Sequence, residues 1–226
     1  MTLAEIASYL KVAQKSVLRM LQKGEIPGAK VGSQWRFLRS VVDDWLISRM
    51  QSVGKPDLVR VIKTAEKTAS LSDLVSPDLV RLGMEPGAKK AVLGQLMEPL
   101  VASSLVRRPA LFLRKLLERE SLVSTAVGHG VALPHVRDVA DCPVTGQHIV
   151  VGICPDGTEF DALDGEKTRL FFLVCTSGEA AHLRLMATIA LTVRERERVE
   201  RLLSCEREED VVLILKEIDR EIGANA

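Results

Sequence analysis

Apolar residues at helical spacing open the chain: Ile6, Ala7 and Leu10 make one face of a helix over about 3–10. Thr2-Leu3-Ala4-Glu5 starts it as a capping box, with the threonine oxygen meeting the amide three residues on and Glu5 reaching back. After the tight turn Lys11-Val12-Ala13, the residues Val17, Met20 and Leu21 give a second helix over 14–23. Residues 26–37 read as a two-stranded hairpin with Gly32-Ser33 at its tip, and Ser40-Val41-Val42-Asp43 as the start of a third helix reaching about Arg49. A linker then spans 49–70, with Gly54-Lys55-Pro56, the apolar run 58–62 and the polar run 63–70. Beyond it Ser76-Pro77 marks a helix start, as proline does at a first helical position. Pro86-Gly87 opens a helix bearing Ala91, Val92, Leu96, Leu100 and Val101; Leu111, Leu113, Leu116 and Leu117 mark the next. Short apolar runs at 130–133, 148–153 and 170–175 read as strands, and 182–193 and 208–222 as helices. The charge run Arg194-Glu195-Arg196-Glu197-Arg198 reads as a solvated helix face. The class is α/β: a small N-terminal helix-turn-helix with a wing at 1–48, the linker at 49–70, and at 71–226 a larger α/β domain whose mixed sheet is covered by helices.

Composition changes this picture little and charge changes it more. A hydrophobic content of 46% with 27% charged residues is that of a soluble globular protein. No apolar run approaches the length of a membrane span and no basic leader precedes an apolar core, so a cytoplasmic protein is expected. Residues 1–56 carry nine Lys or Arg against four Asp or Glu, a net of +5, and the remainder 22 against 26, a net of −4. A basic head on an acidic body points to different partners for the two parts. Cys142, Cys154, Cys175 and Cys205 have no metal-ligand spacing and read as reduced thiols. Asp138, Asp156, Asp161 and Asp164 lie on apparent loops without metal-ligand spacing either, so neither metal nor cofactor is expected.

The candidate chemistry lies in 119–135, R-E-S-L-V-S-T-A-V-G-H-G-V-A-L-P-H. A neutral imidazole is a competent nucleophile near pH 7, and phosphoryl transfer asks the protein mainly for positioning and positive charge around the equatorial oxygens. Gly128 and Gly130 let backbone N–H groups approach an anion, Val131-Ala132-Leu133 fits a buried strand, and Pro134 gives His135 a rigid base. Arg119 offers a bidentate fork and Thr125 a hydroxyl donor to a phosphate. On spacing alone, a histidine after a proline is more often a structural side chain. His129 either borders the pocket or lies on a loop surface, and His148 begins a strand without a role.

That run resembles the active-histidine signature of the EIIA domains of the bacterial phosphotransferase system, of the fructose, mannitol and nitrogen-regulatory class. The likeness extends through L-S-D-L-V-S-P-D-L-V from Leu71, G-T-E-F-D-A-L-D-G before the strand at 170–175, and His182-Leu183. The resemblance implies that His135 is the phosphorylated residue, that His182 is the second active-site histidine, donating to a phosphate oxygen, and that Arg119 and Thr125 shape the pocket. It also implies an HPr-type phosphocarrier protein as donor. Ala126 stands where the family has glycine and Val136 where a small residue follows the histidine, changes expected to narrow the pocket or slow transfer.

The head carries Gln14, Lys15, Leu18, Arg19 and Gln22 on the outer face of its second helix, with Lys15 and Arg19 one turn apart. Together with K-V-G-S-Q-W-R-F and the following D-D-W-L it resembles an excisionase or MerR-like winged helix-turn-helix domain. The resemblance implies a DNA-binding head, with helix 14–23 in the major groove and Lys30, Gln34 and Arg36 of the wing on phosphates. Ala13 replaces the usual capping serine, and Trp35 and Trp45 read as core. The function expected is a nitrogen-regulatory EIIA-like phosphohistidine protein that couples phosphoryl flux to transcription regulation, the partners expected being the phosphocarrier, DNA and a second copy of the chain. A sugar-transport EIIA phosphocarrier and a degenerate sensor module are the alternatives.

Overall fold

A computed structural model describes residues 1–10, 12–38, 41–42, 45, 69–136, 144–162, 164–176 and 179–224. The chain divides into two compact units, Met1–Arg49 and Met50–Ala226. Most of the expected linker at 49–70 lies outside the described residues, as do Asp138, Cys142 and the expected cap at Ser40 and Asp43.

In the first unit α1, Leu3–Tyr9, begins with the expected capping box: Glu5 N–H donates to Thr2 Oγ1 at 3.3 Å and Thr2 N–H to Glu5 Oε2 at 2.7 Å. Val12 N–H donates to Ala7 O at 2.9 Å and holds the turn into α2, Gln14–Gln22. Ala13, at the N-cap of α2, makes no side-chain cap bond. Strands β1, Ala29–Val31, and β2, Gln34–Arg36, form an antiparallel hairpin whose tip places Gly32 at φ +61°, a conformation glycine adopts without cost. Val41, Val42 and Trp45 are helical, and Trp45 Nε1–H donates to Glu25 O. Ile6, Ala7, Val17, Ile26, Phe37 and Val42 form the core, with Trp35 and Trp45 packed against it.

The second unit is built on a five-stranded mixed sheet, order β3-β6-β7-β5-β4, with β3 at Val80–Arg81, β4 at Ala126–Gly128, β5 at Val131–Ala132, β6 at His148–Thr158 and β7 at Thr168–Cys175. β3 runs parallel to β6 and β5 parallel to β7, whereas β6–β7 and β4–β5 are antiparallel. The helices are α3, Lys89–Ala102, α4, Pro109–Glu120, α5, Glu179–Arg194, α6, Arg196–Leu203, and α7, Glu208–Ala224. Ser76-Pro77 starts only a 3₁₀ turn, Pro77–Leu79. Leu93, Leu96 and Leu100 of α3 and Phe112 and Leu116 of α4 pack with Val150, Phe171 and Leu173. Ile149, Val151, Leu170, Phe172 and Val174 alternate with these residues and are equally buried. Both faces of the sheet are therefore covered, which is why β6 and β7 read as continuous apolar runs rather than alternating ones. Gly152 lets α3 approach the sheet: a Cβ there would meet Leu96 Cδ1 and Met84 Sδ at 2.5 Å.

Three expectations need correction. β6 continues past Ile153 to Thr158, because the register shift between them absorbs Pro155-Asp156-Gly157, with Gly157 at φ +65°. α5 begins at Glu179, so His182 lies within its first turn. The charge run is no single solvated face: α5 stops at Arg194, Glu195 caps α6, and Arg198 is held by Leu191 O at 3.2 Å and Glu221 Oε2 at 2.8 Å. Among the described residues no helix is long and apolar enough to cross a membrane.

Candidate active site

The site forms where β5 and β7 end side by side. Parallel strands present their carboxyl ends on the same edge, and the residues that follow them converge there. From β5 the chain runs Leu133-Pro134-His135, with Leu133 N–H donating to Thr125 O at 3.0 Å and Val174 N–H to Pro134 O at 2.9 Å. His135 itself pairs with Val174, so the extension of β5 is stitched to β7 up to the histidine. From β7 the chain passes through Thr176 into α5, which carries His182.

His135 is 1% exposed. Its Nδ1 lies 2.9 Å from Leu133 O, and because a carbonyl oxygen only accepts, Nδ1 carries the proton. The lone pair then resides on Nε2, where Arg119 Nε–H donates to it at 3.1 Å. Burial first, and the Arg119 charge second, lower the pKa of His135 to about 3, against the opposing pull of Leu133 O and Glu120. The imidazole is thus neutral across the physiological range. Burial also lowers Arg119 to about 10, opposed by the Glu120 charge, so the guanidinium remains charged at neutral pH. The rings of His135 and His182 lie 4.9 Å apart and tilted by 54°, and His182 Nδ1 is 3.2 Å from Thr176 Oγ1.

Arg119 and Glu120 end α4, both buried. Arg119 Nη1–H donates to Val123 O at 2.7 Å, which fixes the guanidinium against the turn that follows. Thr125 departs from its expected use: its hydroxyl donates to Glu120 Oε2 at 2.6 Å and its N–H lies 3.1 Å from the same oxygen. A buried carboxylate takes the nearest strong donors, and the threonine hydroxyl is directed to it rather than to a phosphate position. Sequence reasoning gave Glu120 no role. Its neighbour in the R-E-S motif was the one signal, because its partners Lys89 and Thr125 lie on different elements.

The two departures from the family pattern, Ala126 and Val136, both lie in or against the buried core. Ala126 is a member of the buried cluster beneath α3 and α4, and Val136 packs against it. His129 lies exposed on the β4–β5 tip, at the start of β5, whereas His135 follows its end. Its φ is +53° and its N–H donates to Asp164 Oδ2 at 2.8 Å. His129, Asp164 and Glu166 bring ligand atoms within 4.8 Å of one another, all on exposed residues. Asp164 already accepts the His129 and Glu166 amides, which accounts for the cluster as a loop clasp. His148 starts β6, with Nε2 2.8 Å from Thr145 O.

In the first unit Gln14, Lys15, Arg19 and Gln22 are exposed along α2 and Leu18 is half-buried. The wing residues divide. Residues opposite one another in an antiparallel pair share a face, and the register sets Lys30 against Trp35, Ala29 against Arg36 and Val31 against Gln34. Gln34 and Arg36 therefore share one face, joined by an Arg36 Nη2–H bond to Gln34 Oε1 at 2.7 Å, while Lys30 stands on the opposite, Trp35 face.

Residues 73–218 match the family model of the phosphoenolpyruvate-dependent sugar phosphotransferase system, EIIA 2, and residues 1–50 match a helix-turn-helix domain. The fructose-specific EIIABC component of Bacillus subtilis is 24% identical over 152 residues, 66% of this chain but only 24% of that longer protein. The mannitol-specific phosphotransferase enzyme IIA component of Staphylococcus aureus strain Mu50 is 27% identical over 149 residues, 66% of this chain and 99% of that protein. The crystal structure of nitrogen regulatory protein IIA-Ntr from Neisseria meningitidis superimposes with a TM-score of 0.57 at 28% identity, covering 64% of this chain and 97% of that one.

Proposed function

This chain belongs, through residues 73–218, to the EIIA 2 family of the phosphoenolpyruvate-dependent sugar phosphotransferase system, and we propose that His135 accepts a phosphoryl group from an HPr-type phosphocarrier and that its phosphorylation state governs DNA binding by the N-terminal unit. The observation that carries the reading is the bond from Nδ1–H to Leu133 O, which leaves Nε2 of a neutral imidazole as the nucleophile.

In the proposed step the Nε2 lone pair attacks phosphorus in line. The N–P bond to His135 forms as the donor's N–P bond breaks, and the released electron pair returns to the donor's imidazole. His135 keeps its Nδ1 proton, and Leu133 O steadies the positive charge that the ring acquires. The lone pair cannot face Arg119 and phosphorus together, so the guanidinium turns from Nε2 to the phosphoryl oxygens, pivoting on its bond to Val123 O. With His135 1% exposed, a local opening precedes contact with the donor. His182, oriented by Thr176, donates to a phosphoryl oxygen from the other side. Thr125 lies behind the site, its hydroxyl bound to the Glu120 carboxylate.

A helix-turn-helix match with an exposed basic face on α2 supports DNA as the output, and the likeness to IIA-Ntr supports a nitrogen-regulatory setting. The alternative, a sugar-transport phosphocarrier, draws on the fructose-specific and mannitol-specific names of the curated relatives. Fluorescence anisotropy against DNA selected for binding, with and without an active donor system, separates the two. The proposal expects a donor-dependent change in affinity that His135→Ala abolishes. Sequence-independent binding that ignores the donor would favour the transport reading.

A further inference from the structure

The carboxylate of Glu120 is 2% exposed, yet it does not touch His135 and has no part in the transfer step just described. Four donor groups converge on it. Lys89 Nζ from the start of α3 lies 2.9 Å from Oε1, Ser124 Oγ 3.0 Å from Oε1, and Thr125 supplies both its hydroxyl and its amide. Lys89 is itself held by Asp161 Oδ2 at 2.9 Å and sits 4.9 Å over the Phe160 ring, while Ser124 Oγ also reaches Phe160 O at 2.6 Å. The carboxylate thus ties the end of α4, the start of α3, the turn into β4 and the 160–161 loop together.

Each bond bears on the residue next to it. Arg119 precedes Glu120, and the turn that Glu120 closes presents Val123 O, the acceptor that fixes Arg119 Nη1. Thr125, clamped by Glu120, offers the carbonyl that receives Leu133 N–H, and Leu133 O in turn receives His135 Nδ1–H. One anion therefore sets both the cation on Nε2 and the acceptor on Nδ1. We propose that Glu120 is a positioning residue for the phosphoryl-acceptor histidine, acting through Arg119 and Thr125, with Lys89 holding its carboxylate in place. The role in transfer rests on the function proposed above; the placement of Arg119 on His135 does not.

Glu120→Gln tests it with little change of shape, since an amide cannot accept at both ends and must turn its NH₂ toward Lys89 or Thr125. The readout is the nitrogen chemical shifts and pH titration of His135 in the unphosphorylated full chain. The sign discriminates between explanations. The negative charge of Glu120 raises the pKa of His135 and the positive charge of Arg119 lowers it. If Glu120 acted only as a nearby charge, its neutralisation would leave that pKa lower; if it positions Arg119, the pKa rises as the guanidinium leaves Nε2. The expected result is a folded variant with an elevated His135 pKa, loss of the hydrogen-bonded Nε2 shift, and a donor-dependent phosphorylation rate at least about ten-fold lower at saturating donor, as when one preorganised donor is lost. Thr125→Val, which removes the 2.6 Å bond while keeping shape, gives the same changes to a smaller degree and serves if Glu120→Gln does not fold. Unchanged or downward-shifted His135 titration in a folded variant would overturn the proposal. Wild-type protein that takes up no phosphate, while Glu120→Gln still perturbs His135, would remove the transfer function and leave the positioning role intact.

Discussion

At the scale of single residues, two nitrogens of one ring carry the chemistry. With Nδ1–H on Leu133 O and Nε2 facing Arg119, His135 is expected to show the Nδ1-protonated tautomer by nitrogen NMR and to keep it from pH 7 down to pH 5, since its pKa is lowered to about 3. The unfolded chain takes up that proton near its ordinary pKa of about 6.5, whereas the folded chain does not. Stability is therefore full above that value and falls as pH drops from there toward 3, by at most about 1.4 kcal/mol per pH unit from this residue. His135→Phe should flatten that part of the denaturation profile, and an unchanged slope would show that the imidazole is not buried neutral. Arg119→Ala removes a donor already set beside the reacting nitrogen. We expect phosphorylation to slow on the order of 10²-fold, with a rise in the His135 pKa. Rapid-quench phosphorylation and the same NMR titration check both. His135, Arg119 and His182 could be grouped in the sequence because the resemblance to a known family links the motif at 119–135 to the later His182-Leu183 pair. The use of Thr125 could not, because the partner that claims its hydroxyl is chosen by burial, and burial is a property of the fold.

Among the elements, those whose signals are local were legible. The Thr2 capping box and the hairpin tip at Gly32 are set by neighbours within a few residues. β4 was missed because three residues, Ala126–Gly128, carry too short a pattern, and they form a strand only because β5 is present to pair with them. The far end of β6 was missed for the opposite reason: Pro155-Asp156-Gly157 reads as a turn, and the ladder with β7 turns it into a bulge. Ala13 yields a prediction at this scale. It holds the extended backbone of an N-cap, φ −69° and ψ 146°, with no side-chain acceptor, so Ala13→Ser should stabilise the first unit by about 1 kcal/mol. Thermal unfolding of the full chain followed at Trp35 and Trp45 measures it; a lower midpoint would mean that α2 does not begin as described.

At the scale of the whole molecule, two units of opposite charge lie on one chain, and the proposed function is the traffic between them. The wing geometry sharpens the DNA side. Arg36 shares the Gln34 face and Lys30 does not, so Arg36→Ala should weaken DNA binding and reduce the slope of log affinity against log salt by about 1, while Lys30→Ala leaves that slope nearly unchanged. Equal losses from the two would place the duplex across the hairpin edge instead. The division into head and body was legible from charge and pattern, whereas the separation of Lys30 from its neighbours required the register. The central claim, that His135 is a phosphoryl acceptor, is tested most directly by intact mass after incubation with phosphoenolpyruvate, the general phosphotransferase enzyme and an HPr-type carrier. One added, acid-labile phosphate is expected on the wild-type chain and none on His135→Ala. No added phosphate on the wild type with carriers shown to be active, or a phosphate that survives in the variant, would contradict it.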